Sequence, residues 1–467
     1  MNQVGKLSAT ELGKKIRQKE LSVTEVVEAA FEQIEACQDY NAFVCTVQDD
    51  AMQAAARAQD QLMRGGDLPP LFGIPYSVKD VTNCQGVPTR YGSTALPSFT
   101  PTQDNLGVAR ARAAGAILLG KTTTPELAHK AFTFSPLSGL TLNPYSPDVT
   151  AGGSSGGAAV AVALGMGPIA LGTDGGGSVR LPASCCGVVG LKPTIGSPPD
   201  PQAQDLFGAT SHVGPLGRDV ADVRLFYQVL QGGHYADPYG QSTLPAVGSC
   251  KDLSGLKIAW LPKCGNQELD VDVYKATRAA IGHMQDRGAI VEEISLDFAA
   301  LEPAFFVLME CRIVRSLRDL DAHGLQQVDP SLLVHYERGL QHSGVSYLDA
   351  LAARANSFRK VQEVLSRFDA IVSPTLSAPA LPHDQDPDGV ITINGRPTGK
   401  VRAEWYPYTL GFNMTGHPAV SIPCGLSAAG LPIGLQVAGR WYHETFLLDI
   451  AELIEQDIGF TPFLLRQ

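Results

Sequence analysis

Short apolar runs, each flanked by glycine or proline, recur along most of this chain and constrain its fold more than any other feature. Runs of this kind are typical of buried β-strands, and helix-like stretches lie between them. The predicted strands are 74–78, 116–119, 169–171, 258–261, 370–372, 419–422 and 434–437, and the predicted helices are 105–114, 156–164, 220–230, 271–287 and 347–366. Strands alternating with helices predict an α/β protein whose sheet is covered by helices on both faces.

The first part of the chain follows a different pattern, which reads as helical. Two Ser-x-x-Glu capping boxes stand just before amphipathic runs, and a third helix is predicted over 49–64. The boxes are Ser8 with Glu11 and Ser22 with Glu25. Because no repeat or polar linker divides the chain, we predict one domain over 1–467, with an N-terminal helical segment, about 1–66, packed on it.

Charge and composition exclude several partners. With a formal net charge of −11 and no Lys/Arg block, the chain would repel a phosphate backbone, so nucleic-acid binding is not expected. No apolar run reaches the roughly 18 residues of a membrane span, and the N-terminus lacks the apolar stretch of a signal peptide. The nine cysteines and ten histidines show no metal-ligand spacing. We therefore expect a cytoplasmic protein with reduced thiols, no metal and no membrane contact.

Two segments match short motifs whose structural context is missing. Residues 115–122 fit the P-loop pattern, but the residues between the glycines, Ala-Ile-Leu-Leu, favour a strand over a phosphate cradle. Residues 152–156 fit the G-x-S-x-G elbow of α/β-hydrolases, but a proline-containing loop precedes them where that motif needs a strand. A hydrolase of that kind, with His212, His335 or His417 as its base, stays a minor alternative.

Two loops place consecutive glycines beside a serine. The first, 152–157, reads GGSSGG, and the second, 175–178, reads GGGS. Consecutive glycines let successive backbone N–H groups converge on one point, as an oxyanion hole beside a nucleophile requires. Either loop alone is more simply explained as a tight turn. Both together favour a catalytic site that contains Ser154 and Ser178.

A serine nucleophile needs a base, because its hydroxyl is hardly ionised at neutral pH. No histidine lies nearby in the sequence, so lysine is the next candidate. Lys79 follows the apolar run 74–78, and burial at the end of a strand would lower its pKa and make it neutral. Judged from this local context alone, a surface lysine would be the favoured interpretation.

The stretch 152–183 closely resembles the signature of the amidase signature family. The resemblance extends over nearly the whole chain, in blocks at 73–80, 120–128, 141–144, 190–194, 214–222, 413–420 and 430–436. It implies a mixed, largely parallel sheet and an amidase, a hydrolase of linear C–N amide bonds that needs no cofactor. Ala151 is a departure, since many members have proline there.

The resemblance also implies the roles of individual residues. Ser178 would attack the amide carbonyl and carry the acyl group, and Ser154 would relay the proton between Ser178 and a neutral Lys79. The implied oxyanion donors are the N–H groups of Gly175, Gly176, Gly177 and Ser178. The implied supporting residues are Thr173, Asp174, Arg180 and Gly153, whose peptide bond to Ser154 is expected to be cis.

The substrate is less constrained than the chemistry. Aromatic residues in or near the irregular stretch 373–416, and in a loop expected near the site, favour an apolar or aryl amide, although they could equally pack their own loops. These residues are Phe132, Phe134, Trp405 and Tyr406. An ester or carbamate hydrolase of the same family remains open, as does the glutaminase (A-type) component of a tRNA-dependent amidotransferase. Segments 335–340 and 347–354 resemble stand-alone amidases, which favours a small-molecule amidase, with a homodimer as an open prediction.

Overall fold

The computed structural model describes residues 3–208, 210–241 and 248–465. The strands are β1 Phe43–Thr46, β2 Pro75–Lys79, β3 Ile117–Thr122, β4 Phe134–Ser135, β5 Gly139–Leu140, β6 Ile169–Asp174, β7 Val189–Lys192, β8 His212–Gly217, β9 Lys257–Trp260, β10 Ile290–Glu293, β11 Ala370–Pro374, β12 Val390–Ile393, β13 Arg396–Lys400, β14 Ala419–Leu426 and β15 Pro432–Ala438. The α-helices are α1 Ala9–Arg17, α2 Val23–Ala36, α3 Gln48–Arg64, α4 Leu106–Ala113, α5 Gly156–Ala163, α6 Arg180–Cys186, α7 Val220–Leu230, α8 Val271–Asp286, α9 Glu302–Leu317, α10 Ala322–Gln326, α11 Pro330–Gly339, α12 Gly344–Arg367, α13 Val401–Trp405, α14 Pro407–Thr415 and α15 Glu444–Ile458.

The main sheet has 11 strands in the order β1-β3-β2-β6-β8-β7-β14-β15-β11-β9-β10. The pairs of β2 with β3 and β6 are parallel, and so are the pairs of β9 with β10 and β11. Between these two parallel blocks, β8 and β14 pair antiparallel with both of their neighbours. The predicted α/β class with a mixed sheet is confirmed, and the expected parallel pairing is found in the two blocks that flank the centre.

Helices cover both faces of the sheet, as predicted. Side chains alternate along a strand, so Ala170 of β6 packs in the same core as α5, while Ile169 and Leu171 pack with residues of α4 and α7 on the other side. All seven predicted strands are present, with small differences at their ends. The stretch 373–416 was predicted as irregular, and this is wrong in part: it contains the hairpin β12–β13 and the helices α13 and α14.

The N-terminal segment begins as the sequence predicts. Both capping boxes form, at Ser8 with Glu11 and at Ser22 with Glu25, and α3 covers the predicted third helix. Residues of α1, α2 and α3 share a buried cluster with those of β2 and β3. The organisation as one domain stays a prediction.

Parallel neighbours in the sheet bring the site together. Strands β2 and β6 run side by side, with Val78 opposite Leu171. Their carboxyl ends, at Lys79 and Asp174, therefore lie at the same edge of the sheet. The two glycine–serine loops follow directly: one leads into α5 and the other leads from β6 into α6.

Candidate active site

Lys79 is fully buried at the end of β2. Its Nζ donates to Ser154 Oγ at 2.7 Å and lies 3.0 Å from Thr173 Oγ1. Burial lowers the pKa of Lys79 from 10.5 to about 7, and the negative charge of Asp174 opposes this shift only in part. An amine in this state can be neutral near pH 7 and accept a proton from the serine that it contacts.

Ser154 lies in a tightly packed turn before α5. The Gly153–Ser154 peptide bond is cis, as the family resemblance implies. Gly152 has φ of +75°, and a Cβ there would lie 2.7 Å from the backbone of Pro182, so a side chain would not fit. Thr133 Oγ1 donates to Gly152 O at 2.8 Å. These contacts fix the direction in which Ser154 presents its hydroxyl.

Asp174 organises the second glycine–serine loop from inside the protein. Its carboxylate accepts from Arg180 Nε at 3.0 Å and from the backbone N–H groups of Gly177 at 2.7 Å and Val179 at 3.1 Å. Burial disfavours its charge, but Arg180 outweighs this effect and holds the pKa of Asp174 well below its usual value. The loop therefore folds around a permanent buried ion pair.

One of the expected oxyanion donors is engaged elsewhere. Gly177 lines the cavity, but its N–H donates to Asp174 Oδ1 at 2.7 Å and is not free for an oxyanion in this structure. The physical reason is that the same carboxylate needs several donors when it is buried. Gly175, Gly176 and Ser178 line the cavity and remain the predicted donors.

Ser178 stands half-buried at the wall of a cavity of about 410 Å³. Ser154 and Thr173 line the same cavity. Ser155 N–H donates to Ser178 O at 3.1 Å, which ties the two serine loops together. Across the described ranges, no side chain hydrogen-bonds to Ser178 Oγ, so this hydroxyl is free to meet a ligand in the cavity.

Helix α14 supports the second glycine–serine loop, 175–178, through side-chain hydrogen bonds. Thr409 Oγ1 donates to Gly176 O at 2.8 Å, and Asn413 Nδ2 donates to Asp174 O at 2.8 Å. Arg180 Nη2 in turn donates to Asn413 Oδ1 at 2.5 Å. The sequence contained a signal for Asn413, because it begins one of the family-like blocks, but nothing in the sequence indicated its contact.

The predicted substrate-binding aromatics are mostly outside the cavity. Tyr406 lines it. Phe132 and Trp405 do not: they are buried against each other with ring centroids 5.7 Å apart, and Trp405 Nε1 donates to Ala378 O. Phe134 is 43% exposed and also lies outside the cavity wall. These three rings therefore do not line the cavity in this structure: Phe132 and Trp405 pack in the core, and Phe134 lies at the surface.

Other side chains, which the sequence did not single out, form much of the wall. They come mainly from α9 and α13 and from the loops after β2 and β3. Those that matter most for shape and charge are Tyr91, Leu127, Phe305, Met309, Arg312 and Arg402.

The competing motifs have structural explanations. Lys121 of the P-loop match is buried in β3 and pairs with Asp80 at 3.3 Å. The three histidines considered as bases hydrogen-bond elsewhere: His212 to Asp174 O, His335 to Glu310 and His417 to Thr415. Each contact is to a group other than the two serines, so a histidine-based triad gains no support.

Metal and membrane features have no candidates in the described ranges. No cluster of three or more His, Cys, Asp or Glu side chains has the arrangement of a metal site there. None of the described helices combines the length and apolarity needed to span a bilayer.

Comparison with known proteins gives a consistent result. A protein-family model described as Amidase matches residues 25–448. The acylamidase of Rhodococcus erythropolis is 33% identical over 455 residues, covering 96% of this chain and 95% of that protein. The A-type component of the glutamyl-tRNA(Gln) amidotransferase of Alkaliphilus metalliredigens (strain QYMF) is 32% identical over 489 residues, covering 98% and 97%. A bacterial aryl acylamidase of the amidase signature family superposes with a TM-score of 0.90 at 26% identity, covering 98% and 97%. This chain belongs to the amidase signature family of amide-hydrolysing enzymes.

Proposed function

We propose that the chain hydrolyses a small-molecule carboxamide through an acyl-enzyme on Ser178, with Ser154 and Lys79 as the proton-transfer pair. The observation that carries this proposal is the 2.7 Å hydrogen bond from the buried Lys79 Nζ to Ser154 Oγ. A buried lysine next to a serine hydroxyl, beside a cavity that a second serine lines, is the arrangement of a Ser-Lys variant of the catalytic triad.

In the first half-reaction, Ser178 Oγ forms a bond to the amide carbonyl carbon. The proton of Ser178 moves to Ser154, whose own proton moves to the neutral Lys79. The negative charge on the carbonyl oxygen is held by backbone N–H groups of the second loop, for which Gly175, Gly176 and Ser178 are the candidates. The C–N bond then breaks, and the proton held at Lys79 returns through Ser154 to the leaving nitrogen.

In the second half-reaction, water attacks the ester carbonyl on Ser178. Its proton follows the same route through Ser154 to Lys79, and Ser178 Oγ recovers a proton when the ester bond breaks. The products are a carboxylic acid and an amine, so neither a cofactor nor a redox partner is required. The same route would also serve esters and carbamates.

Substitution of the nucleophile tests the proposal. We expect Ser178→Ala to lower kcat/KM for amides by about 10⁴-fold or more, and Ser154→Ala by about 10³-fold. Ser155→Ala is the matched control, since its hydroxyl contacts Thr173 O and not the cavity serine. Mass spectrometry of rapidly quenched wild-type enzyme should find the acyl group on Ser178. Unchanged turnover in Ser178→Ala would overturn the assignment.

The amidotransferase relatives raise a second candidate function, a glutaminase that acts only with partner proteins. The TM-score of 0.90 with an aryl acylamidase favours a free-standing hydrolase, whereas the identities of 33% to the acylamidase and 32% to the amidotransferase component do not separate the two candidates. The purified chain alone should hydrolyse simple amides. If glutamine is its sole substrate and partner proteins are required, the second candidate is correct.

A further inference from the structure

Arg402 is the most unusual side chain of the cavity wall. It is 7% exposed, and its guanidinium carbon lies 4.9 Å from the ring centroid of Phe305, 5.0 Å from that of Phe306 and 5.3 Å from that of Tyr406. Its Nε is buried without an acceptor, and no hydrogen bond joins this guanidinium to any other described residue. Aromatic faces attract a guanidinium but offer no acceptor for its N–H groups. A buried charge in this state needs a partner.

Two other arginines of low exposure donate to protein groups through their terminal nitrogens, although Arg218, like Arg402, has a buried Nε without an acceptor. Arg180 pairs with Asp174, and Arg218 donates from both terminal nitrogens to the backbone of the N-terminal segment. Arg338 is more exposed and does not line the cavity; its guanidinium carbon lies 5.4 Å from the Phe306 ring centroid, and it pairs with Glu310 and Asp388. Within the described ranges, Arg402 has no ion pair with a carboxylate.

Arg312 gives the same wall a second positive charge. It extends from α9, lines the cavity, and donates to the neutral hydroxyl of Thr210 at 2.9 Å. It also lacks an ion pair with any carboxylate of the described residues. Burial lowers the pKa of Arg312, and the negative charge of Asp205 opposes this shift only in part. Asp200 also lines the cavity, and its carboxylate accepts a hydrogen bond from Asn105 Nδ2 at 3.0 Å.

The position of Arg402 relates its charge to the reacting bond. A Cβ placed on Gly176 would lie 3.8 Å from Arg402 Nη1 and 3.1 Å from Phe305. Gly176 is two residues from Ser178 and is one of the proposed oxyanion donors. A group bound by Arg402 therefore lies within a few bonds of a carbonyl that Ser178 attacks. Asp388 and Glu302 interact electrostatically with Arg402 but lie beyond ion-pair distance and outside the cavity wall.

We infer that the substrate carries a carboxylate close to the scissile amide, and that Arg402 binds it, with Arg312 adding positive charge to the same wall. This inference rests on the proposed amide hydrolysis at Ser178. A planar guanidinium matches a carboxylate with two parallel hydrogen bonds, and the surrounding rings exclude water from them. The substrate class is thus an acidic amide, such as a monoamide of a dicarboxylic acid, in place of the neutral aryl amide that the sequence favoured.

The kinetic test compares matched substrates. Monoamides of dicarboxylic acids of increasing length are measured beside their methyl esters, which lack the charge and add one methyl group. The readout is the initial rate of amine release from the amide, so that cleavage of the ester bond is not counted. Wild-type enzyme should prefer the acid at the best length, and Arg402→Gln should reduce that preference by about 10- to 100-fold, the range for a charge-assisted hydrogen bond. Arg402→Lys should keep part of the preference. Arg312→Gln should reduce it to a smaller degree. Arg338→Gln is the matched control, and its preference should equal that of wild type.

The ratio of two kcat/KM values does not depend on how much of a variant is folded, so a loss of stability cannot imitate the expected result. Equal turnover of acids and esters by wild type, or a preference that survives in Arg402→Gln, would overturn the inference and leave the proposed function intact.

A binding measurement covers the case in which no member of the series is turned over. Ser178→Ala should bind the best monoamide more tightly than its ester by calorimetry, and Arg402→Gln in that background should abolish the difference. Equal binding of acid and ester refutes the carboxylate site. Failure of the proposed function is seen separately, as an active wild type whose turnover survives Ser178→Ala.

Discussion

The charge state of a single lysine decides whether this site can work at neutral pH. Lys79 is surrounded by neutral acceptors, and the Asp174 carboxylate is already neutralised by Arg180. Its ammonium form therefore loses hydration without gaining a direct ion pair. Burial is thus the cause of its lowered pKa, and the neutral amine becomes available as a base.

The pH dependence of kcat/KM should report this lysine. Because only neutral Lys79 accepts a proton and its pKa is lowered to about 7, activity on amides should rise about tenfold per pH unit below 7 and level off above it. Lys79→Met should lose about 10³-fold or more of kcat/KM, and its remaining activity should no longer rise with pH below 7. Ser155→Ala is the control, and the midpoint of its pH profile of kcat/KM should equal that of wild type. If kcat/KM of wild type instead keeps rising towards pH 10.5, the ordinary pKa of a lysine, Lys79 is not desolvated during catalysis.

Gly177 should tolerate no side chain. Its φ of +125° is disfavoured for other residues, and an added Cβ would lie 2.8 Å from Thr409 Cβ. Gly177→Ala should therefore displace the loop from α14 and reduce kcat by about 10-fold or more, because catalytic geometry is sensitive to shifts near 1 Å. Gly282→Ala, in α8 with open space around it, is the control and should keep full activity. Equal activity of both variants would show that the loop adapts.

At the level of single residues, the structure brings Lys79 next to Ser154 and places Ser154 and Ser178 at one cavity, as the sequence led us to expect, whereas most of the cavity wall was not predicted. Lys79, Ser154 and Ser178 lie next to strand ends and glycine loops, which are local signals. Arg312 and Arg402 come from helices distant in sequence, and nothing local distinguishes them from surface arginines. Trp405 was singled out because it is aromatic, but its burial against Phe132, away from the cavity, cannot be predicted without knowing how α13 packs.

Helix α14 acts as the element that holds the second loop. All nine of its residues are buried. A helix that is buried on all sides has no amphipathic pattern, and α14 lies in a proline-rich stretch. For these two reasons we predicted an irregular structure for this part of the chain. Strand β8 was missed for a related reason: its sequence, HVGPLG, contains a proline and two glycines, which are rare in strands. The sequence analysis also did not predict the helices α9, α11 and α15 or the strands β1, β7 and β10.

Removal of the contact between α14 and the loop should affect turnover more than binding. Asn413→Ala removes the hydrogen bonds to Asp174 and Arg180, and we expect kcat to fall about 10- to 100-fold with little change in KM, because the loop is misplaced while the cavity wall remains. Asn356→Ala, on the exposed face of α12, should have no effect. If KM rises and kcat does not change, Asn413 instead contributes to substrate binding in the ground state.

At the scale of the whole molecule, two carboxyls, one buried and one half-buried, join the N-terminal segment to the helices that cover the sheet. Asp222 of α7 accepts from Thr10 N–H at the start of α1, and Glu455 of α15 accepts from Val220 N–H at the start of α7. Both carboxyls are desolvated, and Asp219 adds a nearby negative charge. Burial first, and this charge second, raises the pKa of Asp222 to about 7 and that of Glu455 to about 8.

These raised pKa values predict that the fold loses stability as pH rises. In the unfolded chain the two carboxyls ionise near their ordinary values of 3.8 and 4.5, whereas the folded chain keeps them protonated up to about pH 7 and 8. Their contribution is therefore fully present below about pH 4 and is lost as pH rises to 8. Asp222→Asn combined with Glu455→Gln keeps the acceptors without the charge, and should reduce the fall in Tm between pH 5 and pH 8 by roughly 2–4 °C. Asp349→Asn, at an exposed position of α12, is the control and should leave the fall unchanged. An equal fall in the double variant and in wild type would mean that both carboxyls are ionised in the folded protein.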